Sequence, residues 1–215
     1  MRKPLLLGHR GARAVKTIPE NTIRSFDLAL KHGCDGFEFD VRLAGDGNAV
    51  ICHDAETGGV LISEATHNQL RLPRLDQVLA HYAARAFLNI ELKVAGLESA
   101  LLIALAQSPP QRGYVVSSFL PDVLSSLRLR DPQIPLGFIC DRRRELDRWR
   151  ELPIQYVVPH YSLVTAALVQ QVHDEGKILF TWTVNDKAAM LRLAEWNVDG
   201  IISDETELLV GTFRT

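Results

Sequence analysis

At 215 residues, with 47% hydrophobic and 23% charged side chains, the chain has an ordinary globular composition and is long enough for one substantial core. A formal net charge of −2 leaves no basic footprint for nucleic-acid binding, and three cysteines (Cys34, Cys52, Cys140) without a paired-thiolate spacing exclude a disulfide framework. The apolar start Leu5-Leu6-Leu7 ends at once in Gly8-His9-Arg10, and no stretch approaches the roughly 18 apolar residues of a membrane span. The expectation is a single domain over residues 1–215, soluble and cytoplasmic, with no nucleic-acid partner and no stable membrane insertion.

In chain order, short apolar or β-branched runs recur at 5–8, 36–43, 87–93, 114–118, 136–140, 154–158, 178–184 and 200–203. Each precedes a helix-like stretch, at 22–32, 75–85, 97–107, 122–130, 142–150, 163–175, 187–196 and 205–210, and the first of these is separated from its strand by a loop. Asn21, Asp186 and Asp204 are the expected N-caps, and Gly33 and Gly176 stand where helix ends favour a left-handed residue. Asp46-Gly47-Asn48 reads as a tight turn after the second strand, so 49–52 returns as a hairpin strand and brings His53 back toward the first strands. This uninterrupted alternation predicts an α/β fold, a (β/α)8 TIM barrel with a short hairpin insertion after strand 2.

A barrel collects its chemistry at the carboxyl ends of its strands, and the polar residues fall there. His9 and Arg10 follow strand 1; Glu38 and Asp40 end strand 2; Glu91 and Lys93 close strand 3; Ser117 and Ser118 end strand 4. His160 follows strand 6, Trp182 ends strand 7 and Asp204 follows strand 8. Three carboxylates, Glu38, Asp40 and Glu91, from two neighbouring strands form a hard oxygen set that suits Mg²⁺ or Ca²⁺. Arg10 and Lys93 can hold non-bridging phosphate oxygens. His9 and His53 can share general acid and general base duty, since histidine alone titrates unperturbed near neutral pH. Trp182 offers an apolar wall. His160 is a further candidate for the mouth, whereas the arginines at 142–144, 148 and 150 alternate with acids and read as a solvated helix face.

These residues resemble the glycerophosphodiester phosphodiesterase family. The matching pieces are Gly8-His9-Arg10-Gly11-Ala12, Pro19-Glu20-Asn21-Thr22, Phe37-Glu38-Phe39-Asp40-Val41, His53-Asp54, Asn89-Ile90-Glu91-Leu92-Lys93, Thr181-Trp182-Thr183-Val184-Asn185 and Asp199-Gly200-Ile201-Ile202-Ser203-Asp204, in family order over nearly the whole chain. The resemblance implies a barrel that hydrolyses glycerophosphodiesters such as glycerophosphocholine or glycerophosphoethanolamine to sn-glycerol 3-phosphate and an alcohol, using a divalent cation, Mg²⁺ or Ca²⁺. It implies His9 and His53 as the catalytic pair, Glu38, Asp40 and Glu91 as metal ligands, Arg10 and Lys93 as phosphate contacts, and Trp182 as part of the glycerol wall. After His53-Asp54 the chain leaves the family pattern: residues 55–60 lead quickly to Pro73, so a truncated insertion lobe and a more open mouth are expected. Lysophospholipase D-like action on lysophospholipids is the alternative activity, and a non-catalytic phospho-ligand-binding module is the alternative of another class.

Overall fold

The computed structural model describes residues 3–214. In chain order its elements are β1 (Leu5–His9), α1 (Ile23–His32), β2 (Gly36–Leu43), β3 (Ala49–Ile51), β4 (Glu56–Thr57), β5 (Val60–Leu61), α2 (His67–Leu70) and α3 (Leu75–Tyr82). There follow β6 (Phe87–Leu92), α4 (Glu98–Gln107), β7 (Tyr114–Ser118), α5 (Pro121–Arg130), β8 (Leu136–Cys140), β9 (Tyr156–Pro159), α6 (Ala166–Asp174), β10 (Ile178–Thr181), α7 (Lys187–Glu195), β11 (Gly200–Ser203) and α8 (Thr206–Phe213). Parallel pairings run from β1 to β2, β6, β7, β8, β9, β10 and β11, and β11 pairs back onto β1, closing the (β/α)8 barrel.

Strand alternation sorts side chains into two cores. Inside the barrel lie Leu7, Phe87, Val115, Ile139, Val158, Phe180 and Ile202, one from each barrel strand except β2. At that level β2 carries Gly36, in register between Leu7 and Phe87, where a Cβ would stand 1.8 Å from the Phe87 carbonyl oxygen. The next inward positions of β2 are Glu38 and Asp40, so this strand gives the interior carboxylates instead of apolar packing. Its outward residues Phe37 and Phe39 join the larger core under the helices. There Phe26 of α1 stacks on Phe37 with centroids 4.2 Å apart, and Tyr82 of α3 meets Phe37 edge-on at 4.9 Å. Such ring pairs add about 0.5–1.5 kcal/mol each beyond their burial and hold α1 and α3 against β2.

The hairpin after β2 forms as the turn chemistry predicts. Leu43 pairs with Ala49 and Val41 with Ile51 in antiparallel register, Gly47 takes φ 82°, and Asp46 Oδ1 accepts from Asn48 N–H at 3.2 Å. Beyond His53 the chain does not run straight to Pro73. It folds into the β4–β5 hairpin, a 3-10 turn at Ile62–Glu64 and the single-turn helix α2, and both Ile62 and Ala65 carbonyls accept from Gly45 N–H.

Three expectations change. Residues Arg143–Arg150 form a 3-10 segment rather than an α-helix. Only Leu146 and Trp149 are buried there, and their spacing of three matches the 3-10 repeat, with no further apolar residue to define an α-helical stripe. Asn21 does not cap α1: Thr22 does, accepting from Ser25 N–H, while Asn21 turns inward at φ 57°. Asp204 does not cap α8, whose N-cap is Glu205 without a side-chain bond. Asp186 caps α7 as expected, and Gly33 and Gly176 take φ 103° and 68°. Among the described residues no helix is long and apolar enough to cross a membrane.

Candidate active site

The loop from β1 to α1 is built around Arg10. Arg10 (φ 51°) and Gly11 (φ 82°) both adopt left-handed backbone, and a Cβ at Gly11 would lie 2.3 Å from Ser25 Oγ. Ser25 Oγ donates to the Arg10 carbonyl at 3.0 Å and accepts from Ala12 N–H at 2.9 Å, while Asn21 N–H donates to the same carbonyl at 3.0 Å. This wraps the turn over the end of β2, where Arg10 N–H donates to Glu38 Oε2 at 3.0 Å. The guanidinium pairs through Nη1 with Glu20 at 2.7 Å and approaches Asp40 Oδ2 through Nε at 3.2 Å. Burial would lower its pKa, but Asp40, Glu20 and Glu38 outweigh that and hold the charge firmly on Arg10.

Glu38, Asp40 and Glu91 are all buried, and each offers an oxygen within 4.8 Å of the others. Asn21 Nδ2 donates to Asp40 Oδ2 at 2.8 Å, and Lys93 Nζ bonds Glu91 Oε1 at 2.6 Å and lies 3.4 Å from Asp40 Oδ1. Glu38 Oε1 and Asp40 Oδ1 have no hydrogen-bond partner. Burial, then repulsion from Asp40 and Glu91, pushes the Glu38 carboxyl well above its ordinary range. Burial and Asp40 likewise raise Glu91 to about 7, with Lys93 only partly offsetting them. Burial would lower the Lys93 pKa, but Glu91 and Asp40 overcome it and keep the ammonium charged. Crowded carboxylates with orphaned oxygens fit a hard divalent cation, which would supply the positive charge that one lysine and one arginine leave short.

His9 sits in the β1 register opposite Glu38, its Nε2 3.8 Å from Glu38 Oε2. Its Nδ1 meets Asp204 Oδ1 at 2.7 Å. Asp204 is held in turn by Asn185 Nδ2 at 2.8 Å and by Arg13 Nη1 at 3.3 Å. Burial would raise the Asp204 pKa, but the His9 and Asn185 bonds and the Arg13 charge keep it well below the usual carboxylate range. Burial lowers the His9 pKa despite the Asp204 bond, and an Nδ1–H donated to Asp204 would leave Nε2 free to accept. His53 differs: its side chain is 34% exposed, its Nδ1 bonds Asp54 at 2.7 Å, and its carbonyl accepts from Arg42 Nε at 2.8 Å.

One cavity of about 250 Å³ gathers His9, Arg10, Glu38, His53, Glu91, Lys93 and Trp182, with Asp40 buried behind this lining and in contact with it through Arg10 and Lys93. Its remaining wall is Phe119, Ile139, Val158 and Ile202, with Asn89 and Asp141 also lining it. Trp182 is fixed by Nε1–H donating to the Val158 carbonyl at 3.0 Å and by edge-on contact with Phe119 at 5.7 Å. His160 does not line this cavity; its ring packs edge-on against Trp182 at 5.4 Å and its Nδ1 bonds Ser162 Oγ. Sequence reasoning does not assign the site contacts of Glu20, Asn21, Asn89, Phe119 and Asp204. For Asn89 a signal exists, since it stands two residues before Glu91 and shares its face of β6.

A TIM barrel with clustered carboxylates, fixed cations and two histidines in one cavity at its carboxyl-end mouth is an arrangement suited to hydrolysis of a phosphate ester. The profile of the Glycerophosphoryl diester phosphodiesterase family matches residues 9–78 and 62–208, so the chain belongs to that family of hydrolases. It is 29% identical over 241 aligned residues to the glycerophosphodiester phosphodiesterase of Caldanaerobacter subterraneus subsp. tengcongensis, covering 99% of this chain and 98% of that one. Among solved structures it is similar to an Oleispira antarctica phosphodiesterase in complex with the product sn-glycerol-3-phosphate (27% identity, TM-score 0.87, 99% of this chain and 97% of that one). The Thermotoga maritima glycerophosphodiester phosphodiesterase is also similar (25% identity, TM-score 0.85, 98% and 99% covered).

Proposed function

We propose that the protein hydrolyses small glycerophosphodiesters, such as glycerophosphocholine and glycerophosphoethanolamine, to sn-glycerol 3-phosphate and an alcohol, with Mg²⁺ or Ca²⁺ held by Glu38, Asp40 and Glu91. The observation that carries this reading is the buried carboxylate cluster with two unpartnered oxygens beside a histidine oriented through its Nδ1. The bound cation would withdraw charge from the phosphate and stabilise charge developing in the transition state. Arg10 and Lys93 orient the non-bridging oxygens. His9, neutral and oriented by Asp204, takes a proton at Nε2 from the water that attacks phosphorus, so that the P–O bond to the alcohol breaks as the new P–O bond forms. His53, exposed at the mouth beside Asp54, gives a proton to the departing alkoxide, which leaves into solvent. The apolar wall of Phe119 and Trp182 receives the carbon arm and excludes water.

The test is release of glycerol 3-phosphate from glycerophosphocholine and glycerophosphoethanolamine by purified protein, before and after chelation. The expected result is turnover lost on chelation and restored by Mg²⁺ or Ca²⁺; full turnover after complete metal stripping removes the cation from the reading. One observation favours lysophospholipids as further substrates, namely exposed Val60 and Leu61 on the hairpin that follows His53. Faster turnover of lysophosphatidylcholine than of glycerophosphocholine would establish that second activity.

A further inference from the structure

Asn89 is 1% exposed and faces the cavity, yet its Nδ2 has no hydrogen-bond partner. The Ser117 hydroxyl donates to its Oδ1 at 2.6 Å, which fixes the amide plane and leaves the NH₂ side turned inward. That orientation suits the surroundings, because Glu38 is its direct register partner on β2 and an inward carbonyl oxygen would oppose that carboxylate. Buried amide donors are almost always satisfied, and one left open in a cavity is the mark of a missing acceptor.

The position of Asn89 says which acceptor. Across the strands it is level with His9 and Glu38, one step deeper than the Asp40–Glu91 pair. Its other register neighbour is Val115, an apolar residue of the barrel interior. Asn89 therefore stands at the seam between the charged strands and the apolar wall, one step deeper than Asp40 and Glu91, the partners of Lys93. The phosphate's charge calls for the cations Arg10 and Lys93, whereas a neutral donor against the apolar wall suits an uncharged acceptor. It is well placed for a hydroxyl on the carbon arm that the apolar wall receives.

We propose that Asn89 is a specificity-determining residue whose Nδ2 donates to a hydroxyl of the retained arm, so that the cavity selects a hydroxylated three-carbon arm over a plain alkyl one. This rests on the glycerophosphodiester reading of the site. Discrimination of this kind is strong because a ligand lacking the hydroxyl leaves the buried donor unpaired.

The experiment measures binding of sn-glycerol 3-phosphate and of propyl phosphate by calorimetry, with saturating Mg²⁺, for the unaltered chain, Asn89→Leu and Asn89→Ser. The unaltered chain is expected to bind sn-glycerol 3-phosphate roughly 10- to 30-fold more tightly than propyl phosphate. Asn89→Leu should erase that ratio while leaving propyl phosphate affinity within about twofold. Should the leucine variant fail to fold, the smaller Asn89→Ser carries the same comparison. Equal weakening of both ligands would assign Asn89 to the phosphate or cation and overturn the proposal, as would an unchanged ratio. An unaltered chain that binds neither ligand and turns over no glycerophosphocholine would instead sink the reading of the site itself, and the proposal with it.

Discussion

Strands β1, β2 and β6 and the residues just past them bring His9, Arg10, Glu38, Glu91 and Lys93 to the cavity, with Asp40 packed behind, whereas β7 to β11 and the residues just past them bring Phe119, Ile139, Val158, Trp182 and Ile202, with the acids Asp141 and Asp204 at their ends. The same barrel geometry thus serves opposite ends on its two sides. On the charged side, burial is tolerated because nearly every ion touches another, as in the chain from Glu20 through Arg10 and Asp40 to Lys93 and Glu91. On the apolar side, the indole N–H of Trp182 is spent on fixing its ring rather than on facing the cavity. On the proposed reading, chemistry and recognition of the carbon skeleton fall to different side chains, and substitutions of the two kinds should leave different kinetic signatures.

The largest effect belongs to the charged side. His9→Ala and His53→Ala should each lower kcat by about 10²- to 10⁴-fold with little change in KM. Asp204→Asn, which leaves His9 in place but removes its acceptor carboxylate, should cost roughly 10²-fold in kcat, read in the same glycerol 3-phosphate assay. A histidine variant with near-normal kcat would remove that residue from the mechanism and blur the division.

Next comes the charge held by Glu91. Its folded pKa of about 7 stands above the unfolded value near 4.3, so its contribution to stability is present below that unfolded value and lost as pH rises through about 7. Without cation, the melting temperature should fall between pH 5 and pH 8 more in the unaltered chain than in Glu91→Gln, the buried Glu38 carboxyl that repels Glu91 adding to the fall. The Asp204 carboxyl is held below this window. Mg²⁺ or Ca²⁺ should raise the melting temperature most at pH 8 in the unaltered chain and little in Glu91→Gln. A cation effect equal at pH 5.5 and pH 8 would show that these carboxylates are not its ligands.

The smallest effect belongs to the apolar side. Trp182→Ala should raise KM for glycerophosphocholine roughly 5- to 50-fold while kcat stays within about threefold, since the ring binds ground state and transition state alike. A fall in kcat as large as that of His9→Ala would mean that the apolar wall also positions the reacting groups.

Much of this organisation is legible in the amino-acid sequence. The strand runs, their order and the polar residues at their ends suffice for the barrel, because a strand inside two layers must be apolar except where it reaches the mouth. Asn21 and Asp204 mislead for a physical reason: asparagine and aspartate before a helix are ordinary caps, and only tertiary placement diverts one to Asp40 and the other to His9. Glu20 falls within the Pro19-Glu20-Asn21-Thr22 piece of the resemblance, but its pairing carries no local signal, since Arg10 and Arg13 meet it only through the left-handed turn at Arg10 and Gly11. The fifth crossover likewise shows that a charged amphipathic stretch with two apolar residues three apart does not decide between helix types.

The bond between His9 and Asp204 joins residues 195 positions apart, across the seam where the first and last strands meet. Once His9 has been synthesised, its ring must wait for Asp204, 195 residues later, before it is oriented, roughly 10–40 s at ordinary ribosomal speeds. The orientation of this ring is thereby tied to closure of the barrel between β1 and β11. Two fragments cut between β1 and β11 would each carry only one of the two partners, so the bond can re-form only where β1 and β11 pair again.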